Sequence, residues 1–576
     1  MKIKRTKIWN YRNLDGVEVF LHPEINFIVG ENNLGKSNFL RMLNTISSSR
    51  YFRDEDFNNQ KVSIEIHITF ELEEEEIGIF DDYFSPEEEV NNINVILKQE
   101  SPDDIFKFFH AETEEEITYK SIKQLNFINY SSLRNPQSEL NFDKGKGGGK
   151  FLKYLVDRYL SESHEEQNEF IDKDQFTNLL DYLNRSIEKI ETISDFSIAA
   201  HLDSEVEKVL SKLIVLKGKG EHYLNEMGYG VQFLNLIPLV IIDRIYSIVE
   251  KQNKSMNTML ENDDGLRFLP VIIGIDEPEI HLHPYMQRSL IKYLSDITSG
   301  DDSNFNSLIK ELFNVEQVFG QLIFVTHSPY VIKDNYKHII RFYTDSNGDL
   351  SVKSGTNIHF QPDVEKHLNK NMDLVKEAFY SRVVLIVEGE TEEGAFPIFA
   401  KRMGIDLDKF GIGIVNAGSV NSVPPLMELF NEFGVKTVGV IDKDQGNSIR
   451  EAFKDLSNLY QTELVDFEEE MTNYFGICDY ASFLIENLPE KRSLLIGAAN
   501  RLNISINRSN PDLHEEFSLL EPHDLFLLKE ELRDRMSKQF SNLKGIIMGR
   551  ELATFVSEIP QVYKDAIKCA VGDIDE

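Results

Sequence analysis

The chain has 576 residues, of which 61 are lysine or arginine and 97 are aspartate or glutamate, so its net charge is −36. This charge argues against a generally basic nucleic-acid coat, although local patches or bound metal stay compatible with it. The two cysteines build neither a disulfide framework nor a cysteine-rich zinc site. No apolar run approaches the roughly 18 residues of a membrane span, so we expect a cytoplasmic protein of two to four domains.

The first predicted elements are a hairpin and a phosphate-binding loop. Alternating residues predict the hairpin over 1–20. The apolar run Ile25–Val29 then leads into Gly30-Glu31-Asn32-Asn33-Leu34-Gly35-Lys36-Ser37. Such glycines turn backbone N–H groups onto phosphates at a helix start, the lysine reaches the β/γ-phosphates, and the serine ligates Mg²⁺. The candidate nucleotide-binding residues here are Gly30, Asn33, Gly35, Lys36, Ser37 and Asn38.

The middle of the chain is predicted to form strands of a sheet, followed by helices. Alternation over Val62–Glu71 and short apolar runs at 94–98 and 117–119 predict strands of an antiparallel sheet, and Phe127–Tyr130 predicts a further strand. From Phe151 to about Leu216 the apolar spacing is helical. This stretch predicts a helical insertion, either a self-association arm or a piece packed on its parent domain.

Three later segments carry residues that could belong to the same nucleotide-binding site. The apolar strand Phe268–Ile275 ends in Asp276 and Glu277, which could hold Mg²⁺ and activate a water, respectively. A second apolar strand precedes His327, which could sense the γ-phosphate. Gly228 and Gly230 stand at a predicted helix start and could present N–H groups to a phosphate.

A second group of acids follows a change to polar composition over 343–357. The predicted strands Val383–Val387, Gly411–Val415 and Val435–Ile441 alternate with helices, which predicts a parallel sheet. Acids follow two of these strands: Glu388, Glu392, Asp442 and Asp444. Carboxylates grouped at one sheet edge suit Mg²⁺ or Mn²⁺ and displacement at phosphorus.

These motifs carry two resemblances. The loop at 30–37, the Asp276-Glu277 pair and His327 resemble the ABC-type ATPases, particularly the RecF- and SMC-like branch. The resemblance implies that ATP is bound between two subunits and that Gly228 and Gly230 belong to the signature segment. Residues 227–230 depart from the usual Leu-Ser-Gly-Gly-Gln pattern of that segment, because they include no serine.

The later block resembles the Toprim domain of topoisomerases, primases and OLD (overcoming lysogenization defect) nucleases. An ABC ATPase followed by Toprim is the architecture of the OLD family, which includes the GajA subunits of Gabija-type antiphage systems. The resemblance implies that two metal ions are held by Glu388, Glu392, Asp442, Asp444, Asp466 and Glu468. It also implies a lysine that stabilises the phosphorane, for which Lys544 is the candidate.

The expected fold is α/β, with an N-terminal RecF/SMC-like ABC ATPase domain carrying a helical insertion and a Toprim domain with a Rossmann-like parallel sheet. The expected segments are 1–150 and 218–345 for the ATPase, 151–217 for a dimerising insertion, 346–380 for a linker, and 381–576 for Toprim with C-terminal helical elements.

The expected function is an ATP-binding, Mg²⁺- or Mn²⁺-dependent endonuclease acting on double-stranded DNA, with a role in antiphage defence and activity controlled by nucleotide. The expected partners are further copies of the chain, as a dimer or tetramer, and a UvrD-like helicase or another defence subunit, with no membrane. The alternative is a DNA-binding ATPase scaffold or repair protein whose Toprim part is silent or awaits a helicase or a reverse-transcriptase–RNA complex. A topoisomerase would need a separate domain with a nucleophilic tyrosine, and a primase would usually carry a zinc module.

Overall fold

The computed structural model describes residues 1–73, 91–118, 125–130, 228–252, 259–333 and 335–572, with gaps at 263, 444–450, 452 and 454–455 and with single residues at 76, 122 and 158. The predicted insertion at 151–217, apart from Arg158, and the candidate ligand Asp444 lie outside the described residues. Among those that are described, no helix combines the length and apolarity needed to cross a membrane.

The strands run in chain order as β1 Lys2–Trp9, β2 Glu18–Phe20, β3 Ile25–Gly30, β4 Ile64–Glu71, β5 Asn92–Gln99, β6 Lys107–His110, β7 Glu116–Ile117, β8 Phe127–Tyr130, β9 Leu260–Glu261, β10 Arg267–Asp276, β11 Gln317–Val325, β12 Ile339–Thr344, β13 Leu350–Ser354, β14 Val383–Val387, β15 Ile412–Asn416, β16 Lys436–Ile441 and β17 Leu459–Gln461.

The α-helices are α1 Lys36–Ser48, α2 Tyr229–Gln252, α3 Pro284–Ser299, α4 Ser303–Phe313, α5 Pro362–Val375, α6 Glu390–Arg402, α7 Val423–Glu432, α8 Phe467–Tyr474, α9 Ile477–Asn487, α10 Arg492–Arg501, α11 Leu513–Ser518, α12 Pro522–Ser541, α13 Ile546–Phe555 and α14 Gln561–Val571.

The chain divides into two compact units. The first unit contains residues 1–4, 23–25 and 37–326, and the second contains 5–22, 26–36 and 327–576. In the first unit, β4 to β7 form an antiparallel sheet, and β10 lies between β8 and β11 in a parallel one. Strand β10 is buried from Leu269 to Ile275, as expected for a strand covered on both faces.

The second unit begins with the predicted hairpin, in which β1 and β2 pair Arg5 with Phe20 and Lys7 with Glu18. In the same unit β12 lies parallel to β3 and antiparallel to β13. All six residues of β3 are buried, so the strand leads the chain rigidly into the glycine loop. Strand β13 and helix α5 both fall within 346–380, the segment that composition suggested as a linker.

Arg341, in β12, is almost completely buried in the second unit. Its guanidinium donates to the carbonyl oxygens of Phe379 and Ser381 at 2.9 Å, and to those of Phe433 and Gly434 at 3.1 Å. These four carbonyls lie before β14 and at the end of α7. The fixed fork of an arginine can satisfy several acceptors at once, so one side chain joins β12 to the sheet that follows it.

That sheet is parallel throughout, in the order β15-β14-β16-β17. Every residue of β14 is buried, and α6 and α7 connect successive strands, which is the βαβ arrangement expected of a Rossmann-like fold. Helices α8 to α14 complete the core, with Phe483, Phe540 and Tyr563 among its fully buried aromatic residues. The predicted α/β architecture is confirmed.

The predicted strands of both halves are present, with ends shifted by a few residues. The sequence interpretation missed β6, β9, β13 and β17, which are short and carry no clear repeating pattern. It also grouped the seven C-terminal helices only as helical elements. Their boundaries come from tertiary packing, which local pattern does not specify.

Candidate functional site: a phosphate loop and a carboxylate cluster

The predicted phosphate loop has backbone angles that glycine favours. Gly30 has φ of 129° and Gly35 has φ of 89°, while Asn33 has φ of 64° in the left-handed region that asparagine tolerates. A Cβ at Gly30 would lie 2.0 Å from the carbonyl oxygen of Phe342, and one at Gly35 would lie 2.6 Å from Oδ1 of Asn13. Gly30 is therefore required by close backbone packing as well as by the turn, whereas at Gly35 the left-handed φ and the neighbouring side chains disfavour a larger residue.

Lys36 is buried, and its ammonium donates to the carbonyl oxygens of Gly30, at 2.8 Å, and Glu31. This contact holds the positive charge inside the loop, where phosphate oxygens are expected. In the same unit, partial burial and then the charge of Lys36 lower the pKa of His327. His327 is therefore favoured as a neutral imidazole, able to accept or donate one hydrogen bond.

Ser37, the next residue along the chain, belongs to the first unit. Its hydroxyl donates to Oδ1 of Asp276 at 3.0 Å, which brings together the two residues predicted to hold Mg²⁺. Glu277 follows with φ of 53°, and its N–H donates to the carbonyl of Val325 at 2.8 Å. That bond fixes the turn after β10 against the end of β11.

The predicted signature glycines stand at the start of α2. Gly228 is exposed, and Tyr229 stacks on His281 with ring centroids 5.2 Å apart. A Cβ at Gly230 would lie 2.4 Å from the carbonyl oxygen of His281. Close packing on the loop that follows Asp276 and Glu277 thus accounts for a glycine at position 230.

The carboxylates predicted from the later block converge at one edge of the parallel sheet. Glu388 follows β14 and Asp442 follows β16, and the N–H of Asp442 donates to Oε2 of Glu388 at 3.2 Å. Glu392 lies in the first turn of α6, and Glu468 in the first turn of α8. Asp466 caps α8 by accepting the N–H of Glu469 at 2.8 Å. Five of the six predicted ligands are therefore described, and all five belong to this edge.

Burial and mutual repulsion raise the pKa values of three acids in this cluster. Burial, followed by the charges of Glu392 and Glu388, raises the pKa of Asp442 to about 9. Burial, with the charges of Glu468 and Glu388, raises the pKa of Glu392 to about 7. The pKa of Glu468 is also raised, mainly by burial, while Lys544 acts in the opposite direction. Such a cluster of carboxylates is stabilised by a multivalent cation.

Lys544 reaches the cluster from a different part of the chain. Its ammonium lies 3.8 Å from Oε2 of Glu468, and its side chain is 66% exposed whereas that of Glu468 is 3% exposed. The next residue, Gly545, has φ of 124° and donates its N–H to Oγ1 of Thr391 at 3.3 Å. The lysine therefore stands at the rim of the acid cluster, open to solvent.

Two glycines allow α13 to approach the first turns of α6. A Cβ at Gly394 would lie 2.0 Å from the carbonyl oxygen of Ile546, and one at Gly549 would lie 1.9 Å from that of Thr391. Because α13 begins directly after Lys544 and Gly545, the crossing of α6 and α13 determines the position of Lys544. Sequence reasoning missed Thr391 and both glycines, since they form no motif with Lys544.

A phosphate loop with its acidic partner, followed along the chain by a Toprim-like carboxylate edge, defines an ATPase joined to a Toprim domain. The chain belongs to the family described as "AAA domain, putative AbiEii toxin, Type IV TA system", whose model matches residues 25–333, more than half of the chain. Residues 379–444 match the family described as "Overcoming lysogenization defect protein-like, TOPRIM domain".

Two relatives by sequence carry nuclease names. The chain is 23% identical over 583 aligned residues to "Endonuclease GajA" of Bacillus cereus, covering 89% of this chain and 79% of that protein. It is 24% identical over 232 residues to "Old nuclease" of Escherichia phage P2, covering 38% of this chain and a third (33%) of that protein. A structure of the C-terminal region of the Burkholderia pseudomallei OLD protein covers 34% of this chain and 99% of that chain, with 16% identity and a TM-score of 0.22.

Proposed function

We propose that this protein is a divalent-metal-dependent DNA endonuclease of the OLD type whose activity is controlled by ATP. The observation that carries the proposal is the convergence of Glu388, Glu392, Asp442, Asp466 and Glu468 on one edge of the Toprim sheet, with Lys544 at its rim. The similarity to proteins named endonuclease and nuclease supports the same reaction class.

The residues present fit a divalent cation. All the donors are carboxylates, which Mg²⁺ and Mn²⁺ prefer, and the raised pKa values of Glu392, Asp442 and Glu468 reflect burial and a mutual repulsion that a cation relieves. Glu388, Glu392, Asp442, Asp466 and Glu468 would hold the metal, with Asp444 as a further candidate. When bound, divalent cations supply Lewis acidity and an activated water for phosphodiester hydrolysis.

The protein's own groups then orient the substrate. The Lys544 ammonium, largely exposed beside Glu468, would bind a non-bridging phosphate oxygen and stabilise the charge that develops on it. The N–H of Asp442 would hold the Glu388 carboxylate in place through their 3.2 Å hydrogen bond. Asp466 would be held by its capping bond to α8.

For the ATPase half, we propose roles that follow from the loop. Lys36 would exchange its bonds with the loop carbonyls for bonds with the β/γ-phosphates. Ser37 and Asp276, already hydrogen-bonded, would hold the Mg²⁺ that accompanies ATP. Glu277 would orient the attacking water, and His327, with its lowered pKa, would contact the γ-phosphate as a neutral ring.

We further propose that the chain assembles with copies of itself, as a dimer or tetramer, and serves in antiphage defence, alone or with a helicase-like subunit. The resemblance to ABC ATPases and to GajA supports this. Light scattering of the purified chain with and without ATP measures the assembly. Plating phage on cells that carry the wild-type gene or a Glu388→Gln gene measures the defence. Equal plaque numbers on both strains would remove the defence role.

The decisive experiment incubates the full-length protein with supercoiled plasmid and Mg²⁺ or Mn²⁺. We expect nicked or linear DNA from the wild type, and a loss of about 100-fold or more for Glu388→Gln and Asp442→Asn, because a ligand is removed from the metal site. The matched control is Glu428→Gln, an acid on α7 whose pKa is also raised, by burial and then Glu432.

The outcomes of this experiment distinguish a nuclease from a DNA-binding ATPase scaffold. Cutting that survives Glu388→Gln would show that the Toprim acids do not form the nuclease site. A complete absence of cutting with either metal, together with intact ATP binding, would leave the DNA-binding ATPase scaffold as the function. Lys36→Ala shows whether nucleotide controls cleavage, because it removes the phosphate-binding ammonium.

A further inference from the structure

The segment 462–466 connects β17 to α8 and leads directly into two of the proposed metal ligands, Asp466 and Glu468. Strand β17 pairs in parallel with β16, which ends one residue before Asp442. The segment therefore leaves the sheet beside the strand end that carries another proposed ligand. Its conformation determines where the ligands of α8 lie with respect to Asp442.

The start of segment 462–466 is hydrogen-bonded to the residues on either side of Asp442. The N–H of Thr462 donates to the carbonyl oxygen of Ile441 at 3.1 Å. The N–H of Lys443 donates to Oγ1 of Thr462 at 3.0 Å, and the threonine is 3% exposed. The start of the segment is thus fixed to the backbone that carries Asp442.

Glu470, on α8, holds the middle of segment 462–466. Its side chain is almost completely buried, and its Oε1 accepts the N–H of Leu464 at 2.9 Å and also the N–H of Glu463. The N–H of Glu470 itself donates to the carbonyl oxygen of Asp466 at 3.0 Å. Because two consecutive backbone N–H groups bind one oxygen of a helical residue, the segment is fastened to α8 as well as to the end of β16.

We propose that Glu470 is a positioning residue, which sets the separation between Asp442 and the ligands of α8 by accepting these two N–H groups. The inference rests on the proposed metal site. Carboxylates that share a site repel one another, so a segment without this attachment would let Asp466 and Glu468 move away from Asp442. Outer residues that orient metal ligands typically change metal affinity 10- to 100-fold when they are removed.

A buried carboxylate beside the acid cluster could instead bind metal itself, and two substitutions separate these roles. Glu470→Gln and Glu470→Met both remove the negative charge. Glutamine keeps an Oε1 that can accept both N–H groups, whereas methionine has a similar length and only a weakly accepting sulfur. A positioning role therefore predicts that glutamine preserves metal binding, and a metal-binding role predicts that both variants lose it.

Glu516 provides a matched control in the same unit. It lies on α11, and its Oε2 accepts the N–H of Asn507, in the segment before that helix, at 2.8 Å. Helix α11 carries none of the proposed metal ligands. Glu516→Met therefore removes the same kind of contact, between a helical carboxylate and the preceding backbone, without altering the acid cluster.

The first measurement is hydrogen–deuterium exchange of the full-length protein without metal, at the amides of Glu463 and Leu464. We expect exchange to be about 10-fold or more faster in Glu470→Met than in the wild type, because both amides lose their acceptor. Glu470→Gln should stay within about 3-fold of the wild type. Equal exchange in Glu470→Met and the wild type would show that Glu470 does not hold the segment.

The second measurement is Mn²⁺ binding by isothermal titration calorimetry, without nucleotide or DNA. We expect Glu470→Met to bind about 10-fold more weakly, and Glu470→Gln and Glu516→Met to stay within about 2-fold of the wild type. Asp442→Asn identifies the binding that belongs to this site. Unchanged affinity in Glu470→Met, or an equal loss in the glutamine variant or in Glu516→Met, would overturn the proposal.

Thr462→Val tests the segment from its other end and serves if Glu470→Met does not fold. Valine keeps the branched shape but removes the hydroxyl that accepts from Lys443 and donates to the carbonyl oxygen of Leu464 at 2.9 Å. We expect a severalfold weaker Mn²⁺ affinity, and an unchanged affinity would contradict the proposal.

The outcomes also separate this proposal from the proposed function. Mn²⁺ binding is measured without DNA, so the result stands even if the protein cuts no plasmid. A wild type without binding that depends on Asp442 would lack the proposed metal site. Binding in the wild type that Glu470→Met leaves unchanged would remove only the positioning role.

Discussion

Glu31, inside the phosphate loop, forms an ion pair with Arg382, the residue directly before β14. Oε2 of Glu31 accepts from Nη2 of Arg382 at 3.0 Å and from Nε at 3.2 Å. Six residues after Arg382 the chain reaches Glu388 in the acid cluster. The side chains are 28% and 55% exposed, so the pair contributes little to stability, on the order of 0–1 kcal/mol. Its importance is that it connects the nucleotide loop with a strand of the Toprim sheet.

The first prediction concerns this connection. Arg382→Gln is expected to reduce the effect of ATP on DNA cleavage severalfold, because the loop carboxylate loses its partner on the Toprim side. Cleavage without nucleotide should remain near the wild-type rate. The measurement is the plasmid-cutting rate across a series of ATP concentrations, with Lys409→Gln as an exposed-cation control. An unchanged ATP response in Arg382→Gln would show that the pair does not transmit nucleotide binding.

The second prediction tests the α6–α13 crossing. Gly549→Ala places a Cβ 1.9 Å from the carbonyl oxygen of Thr391, so α13 must move and take Lys544 with it. We expect cleavage to fall about 100-fold, as for a catalytic group displaced by about 1 Å. The control is Gly497→Ala on α10, where the nearest atom to the new Cβ is Nη1 of Arg501 at 3.4 Å.

The turnover number and the Michaelis constant for plasmid are measured separately for Gly549→Ala and for its control, Gly497→Ala. Displacement of Lys544 should lower turnover more than it raises the Michaelis constant. Gly497→Ala should keep full turnover and stabilise the protein slightly, because alanine favours helices over glycine by roughly 0.5–1 kcal/mol. Full turnover in Gly549→Ala would mean that the crossing does not determine the position of the lysine.

The third prediction concerns nucleotide binding. Gly35→Ala adds a Cβ 2.6 Å from the side chain of Asn13 at a residue with φ of 89°, so the side chains of Asn13 and Leu14 or the loop itself must move. We expect ATP affinity to fall about 10-fold or more, because the backbone N–H groups lose their common orientation. Gly348→Ala has a similar φ of 85° but no atom within 4 Å of the new Cβ, so it controls for backbone strain alone. Equal ATP affinities in both variants, by titration calorimetry, would contradict the prediction.

The fourth prediction concerns pH and stability. His338 is buried with its ring edge-on to that of His22, at 4.4 Å between centroids. Burial, then His22 and Lys333, lowers the pKa of His338 from 6.5 to about 4. The unfolded chain therefore binds this proton more readily than the folded one. The contribution of neutral His338 to the free energy of unfolding is therefore fully present above about pH 6.5. As the pH falls towards 4, this contribution is lost, and the free energy of unfolding decreases by about 3 kcal/mol in total.

His338→Gln should remove that dependence. Between about pH 7 and pH 5 we expect the wild type to lose about 2 kcal/mol more unfolding free energy than the variant does. Urea denaturation at the two pH values provides the measurement, with the exposed His359→Gln as control. If the wild type and His338→Gln lose the same free energy, protonation of His338 does not contribute to acid sensitivity.

Most of the fold could be predicted from short patterns. Strands such as β14, buried at all five residues, read as unbroken apolar runs, and alternation marked β4. The helices from α8 onwards had no such signal, because their boundaries depend on which residues reach the shared core. The polar composition suggested a domain boundary at 343–357, where β13 pairs with β12 through residues such as Ser351 and Lys353, and the helical spacing over 364–380 corresponds to α5.

The carboxylates were predictable because parallel strands deliver residues at their carboxyl ends to one edge. The residues that support these carboxylates could not be predicted from the sequence. Thr391 contacts Gly545 across 154 positions of the chain, and Gly394 packs against the carbonyl oxygen of Ile546 across a similar separation. Thr391 lies between Glu388 and Glu392 in the sequence, but nothing in that segment indicates a partner at Gly545. Their roles depend on tertiary contacts, and local sequence carries no record of those.

The buried guanidinium of Arg341 has a consequence for how such proteins can evolve. It satisfies carbonyls before β14 and at the end of α7, yet it belongs to the strand paired with the phosphate-loop strand. Exchange of the Toprim module between relatives would have to preserve that arginine and the backbone it meets, or leave a charge without acceptors inside the core. Recombination at the composition change near 345 would separate them. We therefore expect β12 and the Toprim module to be inherited together.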